Sequence, residues 1–282
     1  MPCRQDLCSK RNNTKKMIEF LSNFQLIHLD LASLICVMMW YSFLGWFYES
    51  TIYSLCEQGI FMNRGYFIGP YCPIYGVACV MNLYLLEGIT SSFRIVLLSA
   101  LTICAIEYIT SYVLEKLFGT RYWDYSYYPL NINGRISVVS GLFFGIVSLV
   151  LIKWLHPFTL HMLSHISMRS RIFAAIGFTL IFIFDAVFTV VSMCNLNKKC
   201  KELYDAWDKY VENGLDILNT KKESLDRFTI VRKGKNVVVK LKDVNKTFLE
   251  LETRYFKVFP NLKHTKYGVV IDKLKETIRR NW

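Results

Sequence analysis

The sequence predicts an all-α polytopic membrane helix bundle of about five transmembrane helices, with a small C-terminal α/β or amphipathic-helical appendage. Three observations lead there. First, the 282-residue chain is 53% hydrophobic with a mean hydropathy of +0.27, and the excess is concentrated in residues 26–196. Soluble domains reach about 45–50% even with glycine counted. Second, that region holds long runs without charge, and about 20 apolar residues in a helix can cross a bilayer with every backbone group paired internally. Third, most of the net charge of +12 lies outside it. From Asn197 onward about 21 Lys and Arg face about 12 Asp and Glu, a balance suited to an anionic lipid surface. The expected organisation is a polar basic N-terminal segment at 1–25, a transmembrane domain at 26–196 and a basic soluble region at 197–282.

The first span is expected over about 30–55, built on the charge-free run Leu31–Tyr48. It is too long for a signal-peptide core and no A-x-A-like cleavage site follows, so it is expected to stay in the mature protein. Tyr66–Leu86 makes the second span, with Gly69-Pro70 and Pro73 predicting an irregular or broken start. Ile95–Leu117 makes the third, interrupted by Glu107 and Glu115. Ile136–Ile152 makes the fourth, closed by Lys153, and Ile172–Leu196 the fifth, interrupted by Asp185. Five crossings put the termini on opposite sides, and four put them on the same side if the second span only re-enters. Lys and Arg flank both ends, so the positive-inside rule leaves the orientation open. In the tail, 198–219 reads as a helix with Leu203, Trp207, Tyr210, Val211 and Leu218 on one face. Residues 229–241 read as a hairpin, and 244–259 and 267–279 as amphipathic helices.

Nine cysteines without a C-x-x-C pair do not form a disulfide framework. The chain has no P-loop, G-x-S-x-G, H-E-x-x-H or dinucleotide-binding fingerprint, so it is not itself an ATPase of the P-loop type. No cofactor is expected. Nucleic acid is not expected as a partner either, because the basic tail is tethered to a membrane and lacks aromatic–basic interleaving.

Ionisable groups within spans are the first candidates for function, since a charge in the bilayer centre costs about 2.5–3.5 kcal/mol on insertion scales and turns toward the bundle interior. Glu49, beside Trp46, and Glu107 and Asp185 are candidates for a polar cavity together with Arg135. Glu107, Ser111 and Glu115 share one side of a helix. The alternative is that these carboxylates pair with Arg135, Arg64 or a tyrosine hydroxyl and fix helix register. Arg64, Pro70, Tyr71, Pro73 and Tyr75 form a second group, whose Gly/Pro-rich backbone can offer N–H groups to a ligand or simply open a helix with proline in its first turn. Trp123, Asp124, Tyr125, Asn131 and Asn133 form a third, either a gate over a cavity or an interface-anchored loop with Asx turns. His161 and His165 have metal-compatible spacing but lack a third ligand and read as surface imidazoles.

Three segments in order carry a family resemblance: Tyr41-Ser42-Phe43-Leu44-Gly45-Trp46 through Glu49, Arg64-Gly65-Tyr66 through Gly69-Pro70-Tyr71-Cys72-Pro73-Ile74-Tyr75-Gly76, and Trp123-Asp124-Tyr125-Ser126 through Asn131-Ile132-Asn133-Gly134-Arg135-Ile136. Together they resemble the bacterial ABC-transporter type IV family, also called ABC transporter permeases. The resemblance covers about residues 38–156, and Asp185 extends it into the fifth span. It implies a multi-pass permease subunit in the cell membrane, working with a separate ATPase subunit, and brings no substrate with it. Five spans are few for a pore, so a homo-oligomer or a partner subunit is expected. The long basic N-terminus and the large C-terminal appendage depart from the family. A membrane scaffold or sensor, and a membrane enzyme holding a lipid head group with Arg135, remain alternatives.

Overall fold

A computed structural model of the chain describes residues 25–26, 29–220, 254–256, 258–259, 261–268, 271–272 and 275, with side chains left out at 57–58 and over most of 206–220. Helix α1 (Leu31–Phe47) runs through a π-helical segment, Tyr48–Tyr53, into α2 (Ser54–Gln58). Next come α3 (Pro73–Leu85) and α4 (Ser92–Phe118). Helix α5 (Val138–Val150) passes through a second π segment, Leu151–Leu155, into α6 (His156–Ser164), and α7 covers Met168–Thr220. Among the described residues, two-residue strands pair as β1 (Gln25–Leu26) with β2 (Leu29–Asp30), β3 (Thr120–Arg121) with β6 (Lys263–His264), and β4 (Asn131–Ile132) with β5 (Ile136–Ser137).

Among the described residues, four helices are long and apolar enough to cross a membrane: Leu31–Cys56, Ser92–Phe118, Val138–Ser164 and Met168–Asp205. Their outward faces carry large apolar side chains, such as Phe173 and Phe184, each 75% exposed. Exposure on that scale is tolerable in lipid and not in water. The second expected span differs. Only 13 of its residues, Pro73–Leu85 (α3), are helical, about 20 Å of rise against about 30 Å of hydrocarbon. Pro73 sits in the first turn of α3, where its missing N–H removes no helical bond.

The chain divides into two compact units, residues 1–108 with 126–186 and residues 109–125 with 187–282. In the first unit, Asp30 caps α1, its Oδ1 accepting from Ser33 N at 2.9 Å. Arg171, near the start of α7, donates to the other Asp30 oxygen at 3.2 Å. Both helices therefore start at the same level. Segment 59–72 returns alongside α1: Met62 N–H donates to Ser50 O, and Cys72 N–H to Ser42 O at 2.8 Å. Helix α3 continues antiparallel to α1 until Leu83 packs with Val37, Tyr41, Leu151 and Leu163. An irregular stretch and a short helix together thus bring the chain back to the level where α1 began.

Glycine permits the tightest of these contacts. A Cβ on Gly76 would lie 2.2 Å from Ser42 Oγ and 2.3 Å from Met38 O. On α5, a Cβ on Gly145 would lie 2.6 Å from Val96 O of α4. Small residues of this kind let membrane helices approach backbone to backbone.

In the second unit, α7 continues as helix to Thr220, through the apolar-to-polar boundary at Leu196–Asn197. The expected helix at 198–219 is its end. The expected hairpin at 229–241 lies outside the described residues, as does most of 244–259 and 267–279.

Candidate functional site

The irregular stretch 59–72 is rich in glycine, proline and aromatics and cannot pair its own backbone as a helix does. Several of its N–H groups are met by side chains, from within the stretch and from neighbouring elements. Arg64 N–H donates to Ser50 Oγ at 3.1 Å, and Gly65 N–H to Asn63 Oδ1 at 3.3 Å. Asp185, on α7 and 6% exposed, takes three donors. Ile68 N–H reaches Oδ1 at 3.1 Å, Gly69 N–H reaches Oδ2 at 2.8 Å, and the Tyr71 hydroxyl also donates to Oδ2. Phe67 and Tyr71 pack their rings against Phe182, one turn earlier on α7.

Glu49 lies in the first π segment. Such wide turns leave the regular i−4 ladder and recur at functional sites. Its carboxylate accepts the Tyr75 hydroxyl at 2.5 Å and lies 3.8 Å from Arg64 Nε. The Arg64 guanidinium stacks over Tyr53, 4.5 Å from the ring centroid. Trp46 Nε1–H donates to Asn63 Oδ1 at 2.8 Å. The structure therefore gathers Trp46, Glu49, Arg64, Tyr71, Tyr75 and Asp185 along one irregular stretch. Pro70 is exposed on that stretch and Pro73 opens α3.

The other candidates have their own partners. Glu107 is buried on α4. Arg135, also buried, has its guanidinium 5.6 Å from the Tyr108 ring centroid, and Asn133 Nδ2–H donates to the Tyr108 hydroxyl at 3.1 Å. Asn131 Oδ1 accepts from Gly134 N–H at 3.1 Å. With φ of 53° and 65°, Asn133 and Gly134 turn the β4–β5 hairpin, whose loop is the three residues 133–135 between the paired Ile132 and Ile136. In the second unit, Glu115 pairs with Arg121 at 3.0 Å, and the buried Asp124 carboxylate meets the Lys263 ammonium at 2.5 Å. Trp123 and Tyr125 flank it, partly buried. His161 and His165 are exposed with their Nε2 atoms 3.4 Å apart, and no group of three metal-binding side chains occurs among the described residues.

The Tyr41–His156 pair was not among the expected groups. The Tyr41 hydroxyl lies 2.8 Å from His156 Nδ1, joining α1 to the turn after the second π segment. His156-Pro157 after an apolar run was its only trace in the sequence.

His264 in the tail is buried, and its Nδ1 accepts N–H from Lys266 and Tyr267 at 3.0 and 3.1 Å. Burial, and then the charge of Lys266, holds its pKa below the ordinary 6.5. The native unit binds fewer protons than the unfolded chain, so this contribution is complete above pH 6.5 and lost as the pH falls below it. Hydrogen exchange of the 263–267 amides, corrected for intrinsic rates, is expected to accelerate from pH 7 to pH 5. His264→Asn, which keeps an acceptor but does not titrate, is expected to remove that dependence.

These features define a multi-pass helical membrane protein in which an irregular segment after the first long helix is tied down by a buried carboxylate. The chain belongs to the family described as "Putative ABC-transporter type IV", whose model matches residues 36–190, more than half of the sequence. It is thus a membrane component related to ABC transporters. No curated protein and no solved structure matches it.

Proposed function

We propose that the chain is the permease subunit of an ABC-type transporter in the cell membrane, acting with a separate ATPase subunit. One feature carries this most: non-helical backbone at membrane depth, pinned to α7 by Asp185. Transporters place substrate sites at discontinuous helices, where free N–H groups and inward carboxylates meet. Here the Asp185 carboxylate occupies those N–H groups, so a shift of α7 against residues 64–71 opens or closes them. Glu49, Arg64 and Tyr75 supply charge along the same stretch, and family membership supports the assignment. Four long helices with the broken segment 59–85 make five passages. Five passages are few for a pore, so two copies or a partner subunit complete it.

The test is purification of the full-length chain from native membranes. A nucleotide-binding subunit is expected to co-purify, with an ATPase rate that the chain alters. Preparations consistently lacking one, with knockouts showing no uptake or efflux defect, would end the proposal. Glu49→Gln keeps an acceptor for Tyr75 and removes the long Arg64 ion pair. Its stability cost is expected to stay within about 1 kcal/mol, as for partly exposed pairs, while transport falls.

A second reading is favoured by one observation: Glu49, Glu115, Asp124 and Asp185 each already have a partner within the chain. In a scaffold or sensor these groups only lock packing. Glu49→Gln and Asp185→Asn would then change abundance and nothing else.

A further inference from the structure

In the first unit, just inside the starts of α1 and α7, a groove of about 170 Å³ opens between the two helices. Ala32 and Ile35 line it from α1, and Ile172, Ala175, Ile176 and Thr179 from α7. Both helices belong to the long apolar set, so the groove opens toward lipid. Small side chains create it. Ala32 and Ala175 are buried on its floor and leave space that larger residues would fill. Among the described lining residues only Thr179 has a polar side chain, and its hydroxyl donates to Ala175 O at 2.7 Å. The groove therefore offers an occupant no side-chain hydrogen bond. Water needs polar partners to stay in such a place, and a hydrocarbon chain does not.

The upper end of the groove is basic. On α7, Arg169, Ile172 and Ile176 follow one row of a helical face, and Arg171, Ala175 and Thr179 the adjacent row. Each arginine thus stands about one turn before the lining residues of its row. Helical side chains lean toward the N-terminus, which carries both guanidinium groups away from the apolar floor and toward the membrane surface. Asp30 is the acid described at this rim. Its carboxylate already accepts from Ser33 N–H at 2.9 Å, from the Ser33 hydroxyl at 2.7 Å and from Arg171 at 3.2 Å. Arg169 is exposed. Among the described residues the rim is therefore net positive. Hydrocarbon below and positive charge above complement one kind of amphiphile, and basic pockets between membrane helices bind anionic lipid head groups.

We propose that the groove between α1 and α7 binds one acyl chain of an anionic phospholipid, whose phosphate lies against Arg169 and Arg171. Held there, the lipid touches both helices at once and stiffens their contact.

The test uses the full-length protein, delipidated in detergent and titrated with phosphatidylglycerol or with phosphatidylcholine of the same chains. Native mass spectrometry counts bound lipid, and thermal unfolding reads its stabilising effect. The unaltered protein is expected to bind phosphatidylglycerol about fivefold more tightly, the preference that one net basic residue supplies at a membrane surface. Thr179→Phe fills the groove from an exposed lining position, so the fold is expected to persist while saturable binding of both lipids is lost. Ala175→Leu is expected to do the same from the floor. Gly177→Leu adds bulk on α7 where nothing lies within 4 Å of the Cβ position, and is expected to leave binding unchanged. Arg169→Gln is expected to bring phosphatidylglycerol to the level of phosphatidylcholine. Saturable binding that survives Thr179→Phe overturns the groove as the site. Equal affinity of the unaltered protein for the two lipids overturns the head-group assignment. A dimer that forms on delipidation and that Thr179→Phe breaks gives the groove to a second copy and overturns the lipid.

Discussion

Asp185→Ala is expected to lower the stability of the detergent-solubilised protein by roughly 2–6 kcal/mol. The substitution removes the acceptor for two backbone N–H groups, Ile68 and Gly69. A buried donor left unmade costs about 1–3 kcal/mol, and lipid supplies no replacement. The Tyr71 hydroxyl is orphaned with them. Asp185→Asn is expected to lose less, because its carbonyl oxygen still accepts while its amide meets donors. Thermal unfolding followed by fluorescence-detected size exclusion reads all three proteins. An alanine variant as stable as the parent would mean that the irregular stretch finds its hydrogen bonds elsewhere.

Gly76→Ala is expected to cost about 3 kcal/mol, at the upper end of overpacking penalties. The added methyl would lie 2.3 Å from the Met38 carbonyl, and a backbone oxygen can move only if α1 moves with it. The Ser42 hydroxyl on the other side donates to that same carbonyl at 2.8 Å, so a shift disturbs this bond too. Gly177→Ala on α7 is the matched control, with nothing within 4 Å of its Cβ position. It is expected to be neutral or to gain up to about 1 kcal/mol from helix propensity. The same unfolding measurement compares the pair. Equal loss in both would refute the packing account.

Where the physical cause was local, it was legible in the residues. Charge-free runs marked the long helices, and Gly69-Pro70 with Pro73 marked the broken start of the second crossing. Identity of partners was not legible. Nothing near Asp185 in the sequence points to Ile68 and Gly69, more than 100 residues away. The end of the last apolar run at Leu196 hid the length of α7, because helix continues wherever intrachain bonds and good helix formers continue, whether or not lipid surrounds it. The Asn133-Gly134 turn signal was present between Ile132 and Ile136 and was read only as loop. The pairing of β6 with β3 had no sequence mark, since a two-residue strand carries no period. Of the candidate site, the Glu49, Arg64, Tyr71, Tyr75 and Asp185 assembly follows the residues singled out from the sequence. Its internal pairing follows the alternative that kept those carboxylates engaged within the bundle.

Each π turn amounts to one residue more than an α-helix of equal rise, and one residue advances the helical phase by about 100°. The segments Tyr48–Tyr53 and Leu151–Leu155 therefore act as angular offsets. Residues on either side of them face directions that a uniform helical wheel would misassign. A single-residue deletion inside Tyr48–Tyr53 can be absorbed as ordinary α-helix with every backbone bond made and both flanks facing as before, whereas a deletion in the regular helix on either side would swing one part of the rod by about 100° relative to the other. Gain or loss of one residue at such a turn therefore changes the local polar residues while the helical faces on either side keep their directions.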